Sequence, residues 1–348
     1  MPSAERRYRR IMTAHATSTN PAPRLDLNRL GRSGLAVTGV GLGCNNLGRT
    51  NAVTSTFEGS RDVVHGALDA GVTFFDTADN YGARAGLSEE FLGRALGAHR
   101  DEVVVATKFG MPTRGLNGPD FRARGSRRYI AKAVEGSLRR LGTDYIDLYQ
   151  FHTPDDETPV DETLSALDDL VRQGKVRYVG HSNRAGWQIA DAEHVARSQG
   201  TTRFVSAQNH YNLLDRRAEL EVLPAAQAYG IGVLPYFPLA NGLLTGKYTS
   251  GNRPEDSRLV RNKPGLLETA PWEQLDQLHQ FCVERDVTEL QVAFGWLLAQ
   301  PAVASVIAGA TTPEQIAQNA AASTWRPSDD DAARLDEIFP RPEKIALF

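Results

Sequence analysis

Eight short apolar runs recur along this chain, and their spacing constrains the fold more than any other feature. They are Ala36–Gly41, Val72–Phe75, Val103–Thr107, Tyr145–Tyr149, Val176–Gly180, Phe204–Ala207, Gly232–Tyr236 and Val303–Ile307. Most are β-branched or aromatic and do not alternate with polar residues. That pattern predicts strands covered on both faces. Amphipathic helical stripes lie between them. From Val160 to Gly174 the apolar positions are Val160, Leu164, Leu167, Leu170 and Val171. Thr158 supplies an N-cap, Pro159 a first helical residue and Gly174 a terminator. From Ser126 to Gly142 the stripe is Ile130, Val134, Leu138 and Leu141, with a serine cap and a closing glycine. Thr288–Gln300 is apolar nearly all round and predicts a heavily buried helix.

Eight strand–helix units at a period of roughly 35–45 residues imply an α/β fold, a closed (β/α)₈ TIM barrel. A doubly wound open sheet is the alternative. It requires a G-x-G-x-x-G turn after the first strand, whereas Gly41-Leu42-Gly43-Cys44-Asn45-Asn46-Leu47-Gly48 brings its third glycine too late. Upstream, Leu25–Val37 reads as two short strands around a Gly/Ser turn, an N-terminal β-hairpin suited to plugging the barrel's bottom. Two connections are long: Gly110–Gly125 after the third strand, and Pro238–Val287 after the seventh, with a helix of its own at Trp272–Arg285. Both leave strand ends and should overhang a pocket.

The 348 residues are 41% hydrophobic, enough for one large barrel. A net charge of −3 without a basic stripe argues against a nucleic-acid partner. No apolar stretch reaches the length of a membrane span. Two cysteines, Cys44 and Cys282, point to a reducing cytoplasm rather than a disulfide framework. Residues 1–24 carry a cluster at Arg6, Arg7, Arg9 and Arg10 and then a Ser/Thr/Ala/Pro-rich run. They read as a disordered extension, and residues 25–348 as a single barrel domain. The apolar end Ile345–Phe348 reads as a loose tail.

Four residues that carry chemistry fall just past strand ends. Asp76 and Tyr81 follow the second run, Lys108 the third and His152 the fourth. In a parallel barrel those ends share one face. A tyrosine hydroxyl, with an ordinary pKa of about 10, is protonated at neutral pH. A lysine ammonium beside it favours phenolate and should lower that value. The lysine in turn requires a counter-charge, which Asp76 offers. A histidine can orient a substrate oxygen or relay a proton. The set suits protonation of a carbonyl oxygen while hydride from a cofactor arrives at carbon. Singly, each residue also has an ordinary role, as a turn aspartate, a packed loop tyrosine, a surface lysine or a structural histidine.

The longer motifs go further. Gly71-Val72-Thr73-Phe74-Phe75-Asp76-Thr77-Ala78-Asp79-Asn80-Tyr81-Gly82, Ser88-Glu89-Glu90-Phe91-Leu92-Gly93, Thr107-Lys108-Phe109-Gly110, Asp144–His152 and Gly174–Gly180 together resemble the aldo-keto reductase family, over about Leu25 to Pro340. The likeness includes the branch of potassium-channel β-subunits. It implies a barrel that reduces aldehydes or ketones with a nicotinamide cofactor. By it, Tyr81 is the proton donor, Lys108 its activator, Asp76 the lysine's partner and His152 the substrate orienter. Ser182 and Asn183, with Gln208, match the family's seat for the nicotinamide carboxamide. Tyr236 is similar to the tyrosine that stacks on its ring, with Phe237 beside it. The segment holding Leu239, Gly242 and Lys247 matches the diphosphate loop. Gly309, Thr311, Gln315 and Asn319 match the adenosine end. Many relatives have Arg or Lys there for a 2′-phosphate. This chain has Thr311, Thr312 and no basic residue through Asn319. The resemblance implies NADP(H), with NAD(H) as the open alternative.

The substrate, a small carbonyl compound, should meet Asn45, Asn46, Phe109, Met111 and Asn209, together with the two long loops. No metal site is expected. Two further functions compete with carbonyl reduction: a cofactor-binding regulatory or sensor subunit, and a barrel aldolase with Lys108 as a Schiff-base lysine.

Overall fold

A computed structural model describes residues 25–254, 259–260 and 263–343. The basic amino-terminal cluster and the apolar Ile345–Phe348 end lie outside the described residues. The apolar runs become parallel strands because helices cover one face and the barrel interior the other. In chain order the strands are β1 (Leu27–Arg29), β2 (Ala36–Thr38), β3 (Val40–Gly43), β4 (Phe74–Asp76), β5 (Val104–Phe109), β6 (Ile146–Phe151), β7 (Val176–Ser182), β8 (Phe204–Gln208), β9 (Gly232–Val233) and β10 (Val306–Gly309). The helices are α1 (Phe57–Asp69), α2 (Leu87–Leu96), α3 (Arg127–Leu141), α4 (Val160–Arg172), α5 (Gly186–Gln199), α6 (Val222–Tyr229), α7 (Pro264–Glu268), α8 (Trp272–Arg285), α9 (Glu289–Leu298), α10 (Pro313–Ala322) and α11 (Asp329–Ile338).

Eight strands form one parallel sheet in the order β10-β3-β4-β5-β6-β7-β8-β9. The sheet curls so that its two ends meet. Val233 N–H donates to Ala302 O (2.7 Å), Ala304 N–H to Val233 O (3.0 Å) and Ile307 N–H to Pro235 O (3.0 Å). This is the (β/α)₈ barrel the spacing predicts.

The first run divides differently from expectation. Ala36–Thr38 is the second strand of the hairpin, paired antiparallel with β1, and the first barrel strand begins only at Val40. The hairpin closes the bottom. Its Leu30, Leu35 and Val37 pack with the inward residues Phe74, Ala106, Leu148, Leu234, Ala304 and Ile307. Gly31 makes the turn with φ +59°, and a Cβ there would lie 2.3 Å from Gly230 O, so only glycine fits.

Helix ends follow the sequence signals closely. Ser126 Oγ accepts the Tyr129 N–H at the start of α3, and Gly142 ends that helix at φ +64°. At α4 the flanking residue is Pro159, without a side-chain cap, and Thr158 instead donates to Asp155 Oδ2 (3.0 Å). No helix among the described residues is long and apolar enough to cross a membrane.

In the helix layer, Gly93 of α2 lies directly against the end of α3. A Cβ at Gly93 would lie 2.2 Å from Leu141 O and 2.7 Å from Leu141 Cα, both backbone atoms. Gly93→Ala should therefore destabilise the protein by about 3 kcal/mol through forced separation of two helices. Gly265→Ala, in α7 with nothing among the described residues within 4 Å of the new Cβ, should leave the thermal midpoint unchanged or slightly raised. Equal midpoints for the two variants would contradict the close α2–α3 contact.

Candidate active site

Side chains two apart on a strand share a face. Phe74, Ala106 and Leu148 belong to the apolar floor of the barrel, so Asp76, Lys108 and Gln150 rise one layer above it. Lys108 Nζ donates to Asp76 Oδ2 at 2.6 Å and to Thr77 O at 2.8 Å. Gln150 Nε2 and Gln208 Nε2 each donate to Asp76 Oδ1 at 3.0 Å. The carboxylate thus receives three hydrogen bonds from three other strands. Lys108 is fully buried and Asp76 only 2% exposed, so the pair is out of water and depends on that full set of partners.

Tyr81 and His152 stand above this layer. The Lys108 ammonium lies 5.0 Å from the centre of the Tyr81 ring. Tyr81 meets His152 edge to face, with ring centres 5.8 Å apart. Burial raises the Tyr81 pKa, the Lys108 charge works against that rise, and Asp76 adds to it. The net direction is upward, not downward as the lysine alone predicts, because loss of water around a phenolate outweighs the nearby cation. Burial also opposes the Lys108 charge, but Asp76 and Tyr81 more than compensate and hold its pKa above the ordinary lysine value. His152 is buried, and desolvation with the Lys108 charge brings its pKa down to about 3. Its imidazole is therefore neutral at physiological pH, and its Nδ1 has no hydrogen-bond partner.

The expected nicotinamide seat lies beside these groups. Asn183, exposed at φ +59°, donates to His152 O (2.9 Å) and Ser182 Oγ (3.0 Å). Its Oδ1 accepts the Tyr236 hydroxyl (2.8 Å). Ser182 Oγ donates to Gln208 O (2.7 Å). The half-buried Tyr236 ring stacks nearly parallel on His210, with centres 5.5 Å apart.

Phe237 is exposed and, like Ala240 and Asn241, has a left-handed backbone, with φ +52°, +46° and +61°. Leu239 accepts the Gly242 N–H (2.7 Å) at the start of a short 3₁₀ segment, and Lys247 is exposed just past it. At the far end, Gln315 Oε1 accepts both the Thr311 N–H (2.8 Å) and its hydroxyl (3.0 Å). Gly309 is exposed, whereas Asn319 is buried on α10.

The expected substrate wall is only partly assembled. Asn45, Met111 and Asn209 are half-buried, while Asn46 is buried and donates to Ala310 O (3.3 Å). Phe109 is misplaced by the expectation. It is fully buried and stacks on Phe151 (5.0 Å) and Tyr149 (4.7 Å) in the helix layer. Strand alternation turns it away from the face that carries Lys108.

Sequence reasoning passed over Gln150, whose amide shares Asp76 with Lys108. It also passed over Asp79, which is fully buried two residues before Tyr81 and accepts from Asn117 Nδ2 at 2.8 Å. A polar residue at inward parity on β6 is the signal for the first. The second has none beyond its place in the Tyr81 loop.

The residues present fit a nicotinamide group. A carboxamide requires acceptors and a donor, and Gln208 keeps its Oε1 and one N–H while Asn183 Oδ1 keeps a lone pair. The Tyr236 ring offers an apolar stacking surface beside them. Comparison with known proteins agrees with this chemistry. The profile of the Aldo/keto reductase family matches residues 39–339. The chain belongs to the aldo/keto reductase family.

Several relatives span nearly the whole of this aldo/keto reductase. The "Uncharacterized oxidoreductase YrpG" of Bacillus subtilis (strain 168) is 38% identical over 324 residues, which cover 91% of this chain and 97% of that protein. The "L-glyceraldehyde 3-phosphate reductase" of Escherichia coli (strain K12) is 37% identical, covering 88% of this chain and 90% of that protein. The "Probable voltage-gated potassium channel subunit beta" of Oryza sativa subsp. japonica is 36% identical, covering 85% and 90%. The protein is an oxidoreductase of this family.

The depressed basicity of His152 makes a direct prediction. In ¹⁵N-histidine spectra its resonances should not titrate between about pH 5 and 8, where an ordinary imidazole would. The unfolded chain takes up a proton near pH 6.5 that folded His152 refuses until about pH 3. Stability should therefore fall as the pH drops through that window, and less steeply in His152→Asn. A His152 midpoint near 6.5 would contradict the assignment.

Proposed function

We propose that this aldo/keto reductase converts the carbonyl group of an aldehyde or ketone to an alcohol, with NADPH as the hydride source and Tyr81 as the proton donor. The buried Lys108–Asp76 pair at the foot of Tyr81, beside a neutral His152, carries this reading. When bound, reduced nicotinamide supplies hydride to the carbonyl carbon. The carbonyl oxygen, gaining that electron pair, takes the hydroxyl proton of Tyr81. Because burial keeps this hydroxyl protonated, the acid form is the resting form. The phenolate left behind lies beside the Lys108 ammonium, which Asp76, Gln150 and Gln208 hold in place. His152, uncharged, can donate one hydrogen bond to the same oxygen and so fix its direction without competing for the proton.

The preference for NADPH rests on α10, whose N-terminus is capped by Thr312 and lies in the segment that the family resemblance assigns to the adenosine end. Gln315 keeps its amide N–H groups free of the Thr311 contact, and hydroxyls and amides there suit a phosphate. Aldehydes and ketones without charge suit the substrate side best, since the wall residues Asn45, Asn46, Met111 and Asn209 carry no charge.

The potassium-channel β-subunit relative favours a second reading, a cofactor-binding sensor with slow turnover. The two differ in rate: a sensor would release bound cofactor over many minutes and reduce no tested carbonyl quickly.

A panel of aldehydes and ketones, assayed with both cofactors, tests the proposal. Tyr81→Phe should lose about 10²-fold or more in kcat, with cofactor affinity kept. Wild-type kcat in Tyr81→Phe would remove Tyr81 as the acid. Comparable kcat/KM with NADPH and NADH would remove the phosphate preference.

A further inference from the structure

Asp79 is a carboxyl group in an unusual setting. It is fully buried, and among the described residues no cation forms an ion pair with it. A neighbouring carboxylate, Glu89 of α2, is already satisfied by Arg140 Nε of α3 (2.6 Å) and Thr107 Oγ1 (2.6 Å). Asp79 Oδ2 accepts from Asn117 Nδ2, while Asp79 Oδ1 has no partner. Two further polar atoms at this place are buried and unpartnered: Asn117 Oδ1 and the Tyr149 hydroxyl. A carboxylate adds only acceptors to that group. The Tyr149 hydroxyl brings one donor to two unpartnered oxygens, Asp79 Oδ1 and Asn117 Oδ1, and a carboxylic acid adds a second.

The location gives this detail a consequence. Asp79 belongs to the loop that runs from Asp76 to Tyr81, and its N–H donates to Lys108 O at 3.0 Å. Asn117 belongs to the long loop after β5 and is itself buried, with Nδ2 also reaching Tyr129 Oη at 3.3 Å. The Asp79–Asn117 bond therefore joins the loop that carries Tyr81 to the loop that overhangs the strand of Lys108. We propose that Asp79 is a positioning residue that latches these two loops together, and that it does so as a neutral carboxylic acid rather than a carboxylate.

The surrounding charges agree. Burial and Glu89 raise the Asp79 pKa well above the ordinary carboxyl range, while Arg140, the Asn117 bond and Lys108 pull weakly the other way. Tyr149 of β6 and Tyr129 of α3, the other titratable groups packed here, are held protonated by burial. A folded state that keeps a proton the unfolded chain has lost becomes less stable as pH rises above about 4, the unfolded value.

The latch rests on the reading of Tyr81 as the acid, but its protonation state is read without activity. Thermal midpoints of wild type, Asp79→Asn and Asp79→Leu should be measured from pH 4 to 9, with kcat and cofactor affinity at pH 7. Asp79→Asn keeps an acceptor and a donor but cannot ionise. Its midpoint should gain on wild type steadily as pH rises, and its kcat should stay within about 3-fold of wild type. Asp79→Leu, if folded, should lose 10-fold or more in kcat at unchanged cofactor affinity. Asn117→Leu should reproduce that loss if Asp79→Leu does not fold. A pH-independent difference between wild type and Asp79→Asn would overturn the neutral acid. Wild-type kcat in folded Asp79→Leu or Asn117→Leu, with Tyr81→Phe impaired, would overturn the latch alone. Full activity in Tyr81→Phe would instead remove the acid reading and leave the midpoint test standing.

Discussion

The Lys108–Asp76 pair is the interaction on which the rest of the site depends. Removing two charges from water costs several kcal/mol per ion, and their attraction offsets this only when the remaining hydrogen-bonding capacity is filled. Here it is filled from the barrel itself. Lysine, two glutamine amides and the Thr77 carbonyl reach the pair from β5, β6, β8 and the end of β4. Only a sheet that curls fully round can bring those strands to one point. The apolar floor beneath, closed by Leu30, Leu35 and Val37 of the hairpin, keeps water from entering from below.

That dry environment sets protonation states in a way that counting charges does not. A cation beside a tyrosine favours the phenolate, yet Tyr81 holds its proton more firmly than a free tyrosine because burial is the larger effect. The same burial leaves His152 neutral. Two groups that titrate on either side of neutrality in water are thereby both fixed in their uncharged forms. An acid and a neutral hydrogen-bond donor side by side are what a carbonyl oxygen gaining negative charge requires.

Much of this was legible in the chain. Trp272–Arg285 is a helix with the bounds its periodicity predicts, and Ser126 and Gly142 bracket α3 as cap and terminator. Eight apolar runs at regular spacing specified the barrel. What was not legible has identifiable causes. The run Ala36–Gly41 is continuous in hydrophobicity but divides at Gly39 between hairpin and barrel, and composition carries no mark of that division. Phe109 adjoins Lys108 in sequence, but neighbouring residues on a strand face opposite ways. Gln150 and Asp76 lie 74 positions apart, and nothing local to either indicates the other. Local signals specify elements; partners chosen across the barrel appear only once the strands are laid side by side.

The closure of the sheet has a consequence for how the molecule is made. β10 sits between β3 and β9, so Val306 pairs with Val40, and just before it Val303 pairs with Val233. The first and last strands of the barrel are direct neighbours. Every intermediate that lacks β10 is an open sheet with two bare edges, free to recruit the wrong strand. A ribosome-bound chain must remain in that state until its last barrel strand emerges, and the entropy of joining such distant segments is met late. Integrity of the carboxyl-terminal third is thus a condition for order at the amino-terminal end of the barrel.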